Sequence, residues 1–245
     1  MDKLLYIAMS GAKETLRAQA ANNHNLANAS TTGFRADLSA FQSREVVGTG
    51  YASRVYATNA TTGWDSSVGA QVATGRDLDI AISGDGFIAV QGRDGREAYT
   101  RGGDLHIDPN GQLLTGTGLQ VMSDGGPVSV PPHTALTVAP DGTISIVPLG
   151  QGPETTAAVA RIKLVNPPQD QLDRGEDGLF RLRDGSDVPA DANVRIASGV
   201  LESSNVNAAA AMVNMIELSR NFDLQVKAMR SAEDNAQAAT QLLRT

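Results

Sequence analysis

Cysteine is missing from this 245-residue chain, which excludes disulfide staples, thiolate zinc centres and thiol nucleophiles. Its absence leaves the compartment open, because a chain without thiols works in oxidising and reducing spaces alike. Aromatic residues are scarce, at 4% with Trp64 the single tryptophan, so the core has to be aliphatic. Positive charge is also short. The 20 Lys and Arg stand against 27 Asp and Glu, a net charge of −7, which argues against a nucleic-acid surface. Long apolar runs are lacking too. Leu4-Leu5-Tyr6-Ile7-Ala8-Met9 ends at Ser10-Gly11, short for a secretory signal, and no run approaches the roughly 18 residues of a membrane span. The expectation is no membrane insertion, and export, if any, without a cleaved signal.

Proline and glycine are absent from particular regions. All ten prolines fall between Pro109 and Pro189, no glycine follows Gly199, and only Gly11 precedes Gly33. Both residues interrupt helices, so the ends are free to be long helices and the middle is not. From about Asn207 the positions Met212, Met215, Ser219, Phe222, Val226, Met229, Glu233, Ala236, Thr240 and Leu243 alternate spacings of three and four, an imperfect heptad seam. Asn205 or Asn207 suits the N-cap. A helix of about 38 residues would be roughly 57 Å long. Leu5, Met9, Ala12, Leu16, Gln19, Asn23 and Leu26 keep the same rhythm up to Ser30-Thr31-Thr32-Gly33, where Gly33 suits a left-handed helix end. These seams are free to pair with each other or with neighbouring molecules; a pair of amphipathic helices on one globular core is the plain alternative.

The middle reads as β. Asp79–Ser83 and Phe87–Val90 are short strands, with others expected at 105–107, 128–130, 136–138, 143–147, 159–165 and 194–196. Asp85-Gly86, Asp94-Gly95, Asn110-Gly111, Asp124-Gly125, Asp141-Gly142 and Asp184-Gly185 are hairpin signals between them. The predicted fold class is α+β: long N- and C-terminal helices forming a coiled-coil-like layer, with a β-rich domain inserted between them. The boundaries are 1–44 for the N-terminal helical segment, 45–74 for an extended connector, 75–202 for the β domain and 203–245 for the C-terminal helical segment.

Reactive motifs do not emerge. Gly84-Asp85-Gly86-Phe87-Ile88-Ala89 fits G-x-G-x-x-A, but a strand continues where a dinucleotide site needs a helix N-terminus. Asp77, Asp79 and Asp85 lack the oxygen ligand an EF-hand needs where Ala81 stands. His24, His106 and His133 are scattered, with no zinc spacing. Neither a G-x-S-x-G elbow nor a phosphate-binding loop occurs. No cofactor, metal or enzymatic activity is expected. Asn22, Asn23, Asn25 and Asn28 are harder to dismiss, since asparagine is a poor helix former. Either they cap a fraying helix end, or their amides bond to other chains in a packed assembly.

The segment Asn22-Asn23-His24-Asn25-Leu26-Ala27-Asn28-Ala29-Ser30-Thr31-Thr32-Gly33-Phe34-Arg35 resembles the N-terminal signature of bacterial flagellar rod and hook proteins, N-L-A-N-x-x-T-x-G-[FY]-[KR]. Gly75–Phe87 followed by Tyr99-Thr100-Arg101-Gly102-Gly103 resembles the start of that family's β domain, and Ser198–Asn207 the lead into its C-terminal helix. The opening Met1–Met9, with Ser10-Gly11-Ala12 where distal-rod members tend to carry Thr-Gly-Leu, is similar to the proximal-rod type. The resemblance implies a structural subunit of the basal-body rod, crossing the periplasm, with terminal helices packed into an axial tube that carries torque from motor to hook. It implies as partners other rod proteins, copies of the same chain and the flagellar export apparatus, and neither nucleic acid nor membrane. The assembly residues it suggests are Leu5, Met9, Leu16, Asn22, Asn23, Asn25, Leu26, Asn28, Thr32, Gly33 and Phe34 at one end. At the other they are Asn205, Asn207, Met212, Met215, Phe222, Val226, Met229 and Leu243. A distal-rod protein is the alternative within the family; a secreted cell-wall glycan hydrolase is the alternative outside it.

The strand and turn signals between Gly75 and Leu201 are self-contained. A fragment of those residues is therefore expected to unfold cooperatively on heating; a random-coil spectrum with no transition would refute the independence of the β region.

Overall fold

A computed structural model describes residues 4–45, 55–152, 154–175 and 177–242. The chain divides into two compact units: one of 1–29, 36–65 and 206–245, the other of 30–35 and 66–205.

The first unit is built on two helices, α1 (Leu4–Ala27) and α2 (Ala208–Leu242). At 1.5 Å per residue they are roughly 36 and 52 Å long. They run antiparallel: Gly11 of α1 lies against Gln225, whereas Asn22 reaches Ala211. Small residues make the seam on the α1 side, where Ala8, Ala12, Thr15, Ala18 and Asn22 are buried. Ala211 and Leu218 are the buried apolar residues of α2, with Met215, Phe222, Gln225, Met229 and Ala232 half-buried along the same stripe. Asn207 is the N-cap, its Oδ1 accepting the Ala210 amide at 3.0 Å. A long antiparallel hairpin completes the unit, β1 (Asp37–Glu45) pairing with β2 (Val55–Trp64).

Two departures from the sequence expectation lie here. The first helix stops at Ala27, and 37–44, assigned to the helical segment, is strand. Much of the presumed connector is the second arm of the hairpin, 46–54 lying outside the described residues. Weak periodicity concealed it for a physical reason: alternation marks a strand with one face buried. In β1 no residue is fully buried, so neither face needed to be apolar.

The strand pairs described in the second unit are all antiparallel. Its largest sheet orders the strands Leu164–Val165, Phe87–Gln91, Glu97–Thr100, Phe180–Leu182 and Leu172–Arg174. A second sheet joins His133–Val138, Thr143–Pro148 and Ala157–Arg161. Ile80–Ser83 pairs with Arg195–Ser198, and Gln71–Ala73 with Val200–Glu202. Strands at 97–100, 113–115, 172–174 and 180–182 were not anticipated; 128–130 enters as a single bridge, Gln112 opposite Ser129. The core is aliphatic, as the aromatic shortage requires, with Ile80, Ile82, Ile88, Val90, Leu105, Leu113, Val121 and Ile144 all at 0–1% exposure. Tyr99 is buried beside it; its hydroxyl accepts the Val188 amide at 2.8 Å, and burial pushes the phenol above its ordinary range.

Turn aspartates hold the corners. Asp108 Oδ1 accepts the Asn110 and Gln112 amides at 2.9 and 2.7 Å, and Asp94, Asp141, Asp177 and Asp184 each accept an amide two residues on. These bonds favour the ionised form. The Arg96 amide holds Asp94 below the usual carboxylate value of 3.8, the Gln112 amide does so for Asp108 and the Ser186 amide for Asp184. The Thr143 hydroxyl lowers Asp141, and the Arg181 guanidinium lowers Asp177. A depressed folded value stabilises above the unfolded pKa and is lost as pH falls through the folded one. Thermal midpoints should therefore be level above about pH 5 and fall below about pH 4; a midpoint unchanged down to pH 2.5 would count against these turns as stabilising elements.

Candidate functional site

The segments that bear the family resemblance meet in the β unit around one carboxylate. Glu202, with 0% exposure, ends the strand Val200–Glu202. Its Oε2 accepts Arg101 Nε at 2.8 Å, its Oε1 accepts the Gly69 amide at 3.0 Å, and Arg35 Nη1 stands 2.5 Å from Oε1. Arg35 and Arg101 are themselves 1% and 5% exposed. Arg101 has further acceptors in the carbonyls of Gly86 at 3.0 Å and Gly84 at 2.9 Å. Arg35 does not: its contact with Glu202 is close but poorly aligned, leaving Nε, Nη1 and Nη2 without a hydrogen-bond acceptor among the described residues. Two guanidiniums around one carboxylate leave excess positive charge. Burial draws Arg101 below its ordinary pKa, Glu202 opposes that, and Arg35 adds to it.

The backbone closes the same node. The Gly33 amide donates to Glu202 O at 2.8 Å, Ser203 N to Ala70 O at 2.8 Å, and Asn205 N to Phe34 O at 3.3 Å. Phe34 is buried with the Arg174 guanidinium 4.2 Å above its ring. Thr32 is half-buried beside it. Gly33 has φ +67, and a Cβ there would lie 2.3 Å from Arg101 C. Its role is close approach to the Arg101–Gly102 backbone, since the helix has already ended at Ala27. Asn205 binds Ser67 through its side chain, Nδ2 to O at 3.0 Å.

The asparagine cluster belongs to the helical unit, and three of its four amides have partners within the chain. Asn22 Nδ2 donates to Ala211 O at 2.8 Å while its Oδ1 accepts Asn214 Nδ2 at 3.2 Å. Asn25 imitates a strand neighbour, donating to Asp37 O at 2.9 Å and accepting the Asp37 amide at 2.7 Å. Asn28 donates to His24 O at 2.9 Å. These bonds answer the helix-propensity penalty without a second chain; Asn23 is exposed.

Of the seam positions singled out in α1, Leu5, Met9 and Leu16 are 39%, 54% and 50% exposed, and Leu26 is half-buried. In α2, Met212 is 53% exposed, Met215, Phe222, Val226 and Met229 are half-buried, and Leu243 lies outside the described residues. The seam within the chain is rotated from the predicted one because small α1 residues make the nearer fit. A second apolar face remains uncovered on each helix: Leu4, Leu5, Tyr6 and Met9 on α1, and Met212, Val213, Ile216 and Leu224 on α2.

Among the described residues no three His, Cys, Asp or Glu side chains gather as a metal site. A hollow of about 250 Å³ in the β unit is lined by Arg96, Glu97, Arg181, Arg183, Asp184 and Ser186. Glu97 there is bound to Lys163 Nζ at 2.8 and 2.9 Å, so it is not half of a free carboxylate pair. Arg35, Arg101 and Glu202 were not singled out from the sequence. The available signal was partial: Arg35 and Glu202 are each the single Asp, Glu, Lys or Arg of their resembling block, whereas Arg101 shares its block with Arg76, Asp77, Asp79 and Asp85.

Comparison with known proteins matches residues 197–242 to the flagellar basal body rod FlgEFG protein C-terminal family and residues 81–146 to the flagellar hook protein FlgE/F/G D1 domain. The chain is 45% identical to the flagellar basal-body rod protein FlgF of Escherichia coli K12, covering 99% of both chains. It is 44% identical to FlgF of Salmonella typhimurium LT2 over 99% of both, and 30% identical to FlgG of Bacillus subtilis 168 over the full length of each.

The glycines around Glu202 make the node testable. Gly75 has φ +73 with nothing near its Cβ position, whereas Gly33 has similar φ and meets Arg101. Gly75→Ala should cost about 1–2 kcal/mol from the left-handed backbone alone. Gly33→Ala should cost roughly 1–3 kcal/mol more, because backbone has to move. Urea denaturation of the two variants decides; equal losses would mean the node is loose.

Proposed function

This chain belongs to the FlgE/F/G family of flagellar rod and hook proteins and is a structural, non-catalytic subunit of the basal-body rod of the FlgF kind, and from that premise we propose that it occupies the proximal rod and is held there by the uncovered apolar faces of α1 and α2. Assembly with other rod and hook proteins follows from family membership. Contacts with copies of itself, passage through the flagellar export apparatus without a cleaved signal, and a periplasmic position are the finer parts of the proposal. No helix among the described residues is long and apolar enough to cross a membrane.

The observation that carries the reading is the division of labour on the helices. Within the chain α1 meets α2 through Ala8, Ala12 and Ala18, while Met9, Leu16, Met212 and Ile216 stand 50–54% exposed. Burying such a large side chain is worth roughly 1.5–3 kcal/mol. Helices that keep alanines at the α1 side of their seam and leave these larger apolar residues outside hold hydrophobic gain in reserve for contact with other molecules. Torque transmission needs that kind of interface: stiff helices, contacts repeated in every copy, and no reactive centre. The domain division proposed with it makes the helices the axial assembly segments and the β region a separate layer.

Ile216→Asp and Leu16→Asp place a carboxylate on these faces and leave the α1–α2 seam alone. Purified protein should melt within about 2 °C of the parent, since surface changes are worth about ±0.5 kcal/mol. Recovery of both variants in isolated basal bodies should fall by about tenfold or more, because desolvating an unpaired carboxylate is costly. Normal incorporation of both would refute this face as the assembly surface. Met229 is a poorer probe, being half-buried on the α1 side.

A further inference from the structure

Arg35 and Arg101 are buried as cations, and a guanidinium cannot escape that by losing its proton. Arg101 has alternatives to Glu202: the Gly84 and Gly86 carbonyls, and the Asp85 carboxylate acting on it from nearby. Arg35 has Glu202 as its ion-pair partner, and its side-chain nitrogens have no aligned acceptor among the described residues. In chain order, Arg35 precedes every strand of the β unit, and Glu202 is the last residue of the last one. Glu202 also receives the Gly33 amide on its carbonyl and the Gly69 amide on its carboxylate, so it docks both early segments at once.

We propose that Arg35, Arg101 and Glu202 form a completion latch: while Arg35 is in the chain, the β unit settles into its native packing only when Glu202 is present to meet it. A chain made N-terminus first would then stay unpacked through nearly the whole β region. Burying Arg35 earlier places an uncompensated cation in the interior. Holding 30–35 outside instead uncovers Phe34. Joining residues so far apart is also entropically late, because loop closure precedes any reward from the contact. The device does not depend on which partners the helices have.

Pulsed hydrogen exchange during refolding of the full chain tests this. The Gly33 and Gly69 amides report the latch, and the Ile80, Ala89 and Ile162 amides, bonded to Gly103, Lys163 and Gly142, report the core. All five should gain protection in one kinetic phase. Glu202→Gln should lower equilibrium protection of the core amides by about 100-fold or more, or abolish it. Adding Arg35→Met to Glu202→Gln should bring protection back to within about tenfold of the parent, because the stranded cation is gone. Core amides protected in an earlier phase than Gly33 and Gly69 would overturn the proposal. So would an Arg35→Met, Glu202→Gln chain no better protected than Glu202→Gln alone, since lost charge compensation would not then be the cause.

Discussion

A single buried carboxylate constrains the β unit. Glu202 lies between two guanidiniums at no solvent exposure, and the backbone around it ties down 30–35, 66–70 and 202–205. Buried ion pairs are weak sources of net stability, because desolvation offsets the attraction. Their force is asymmetric: removing one partner costs far more than the pair contributes. Here that asymmetry, with the glycines that let backbone close on the node, specifies one docking of 30–35 and 66–70 against 202–205.

The helical unit follows a different logic. Alanine, glycine and threonine on α1 bring the two helices close, and Asn22 fixes their register by bonding to the Ala211 carbonyl and the Asn214 amide. A polar group in a helix seam specifies register at some expense of stability. Asn25 does the equivalent for the hairpin by presenting both an acceptor and a donor to Asp37. The asparagines are thus part of the protomer's own construction, and the surfaces that remain uncovered are aliphatic.

Particular residues show how much was legible beforehand. The placement of Pro109 to Pro189 and the loss of glycine after Gly199 confined helix to the ends, because those residues act locally on the backbone. The Asx-Gly pairs marked turns for the same reason, and left-handed glycines stand at 86, 95, 111, 142 and 185. Asn207 was legible as a cap. The strands at 97–100 and 180–182 were not, since at 4 and 3 residues, inside the five-stranded sheet, they are too short to show clean alternation. The hairpin of β1 and β2 escaped for another reason, being exposed over most of β1.

The sequence by itself determined that the ends are helical, that the middle is turn-rich β with an aliphatic core, and that its signature segments are those of a flagellar axial protein. Each of these rests on local physics: backbone preference, side-chain period and short motifs. Only the tertiary structure decided which helix faces meet and which stay open, because spacings of three and four permit more than one stripe on the same helix. It alone brought Arg35, Arg101 and Glu202 together, since charge compensation between residues so distant in sequence has no local signal; it exists only where folding has excluded water from all three.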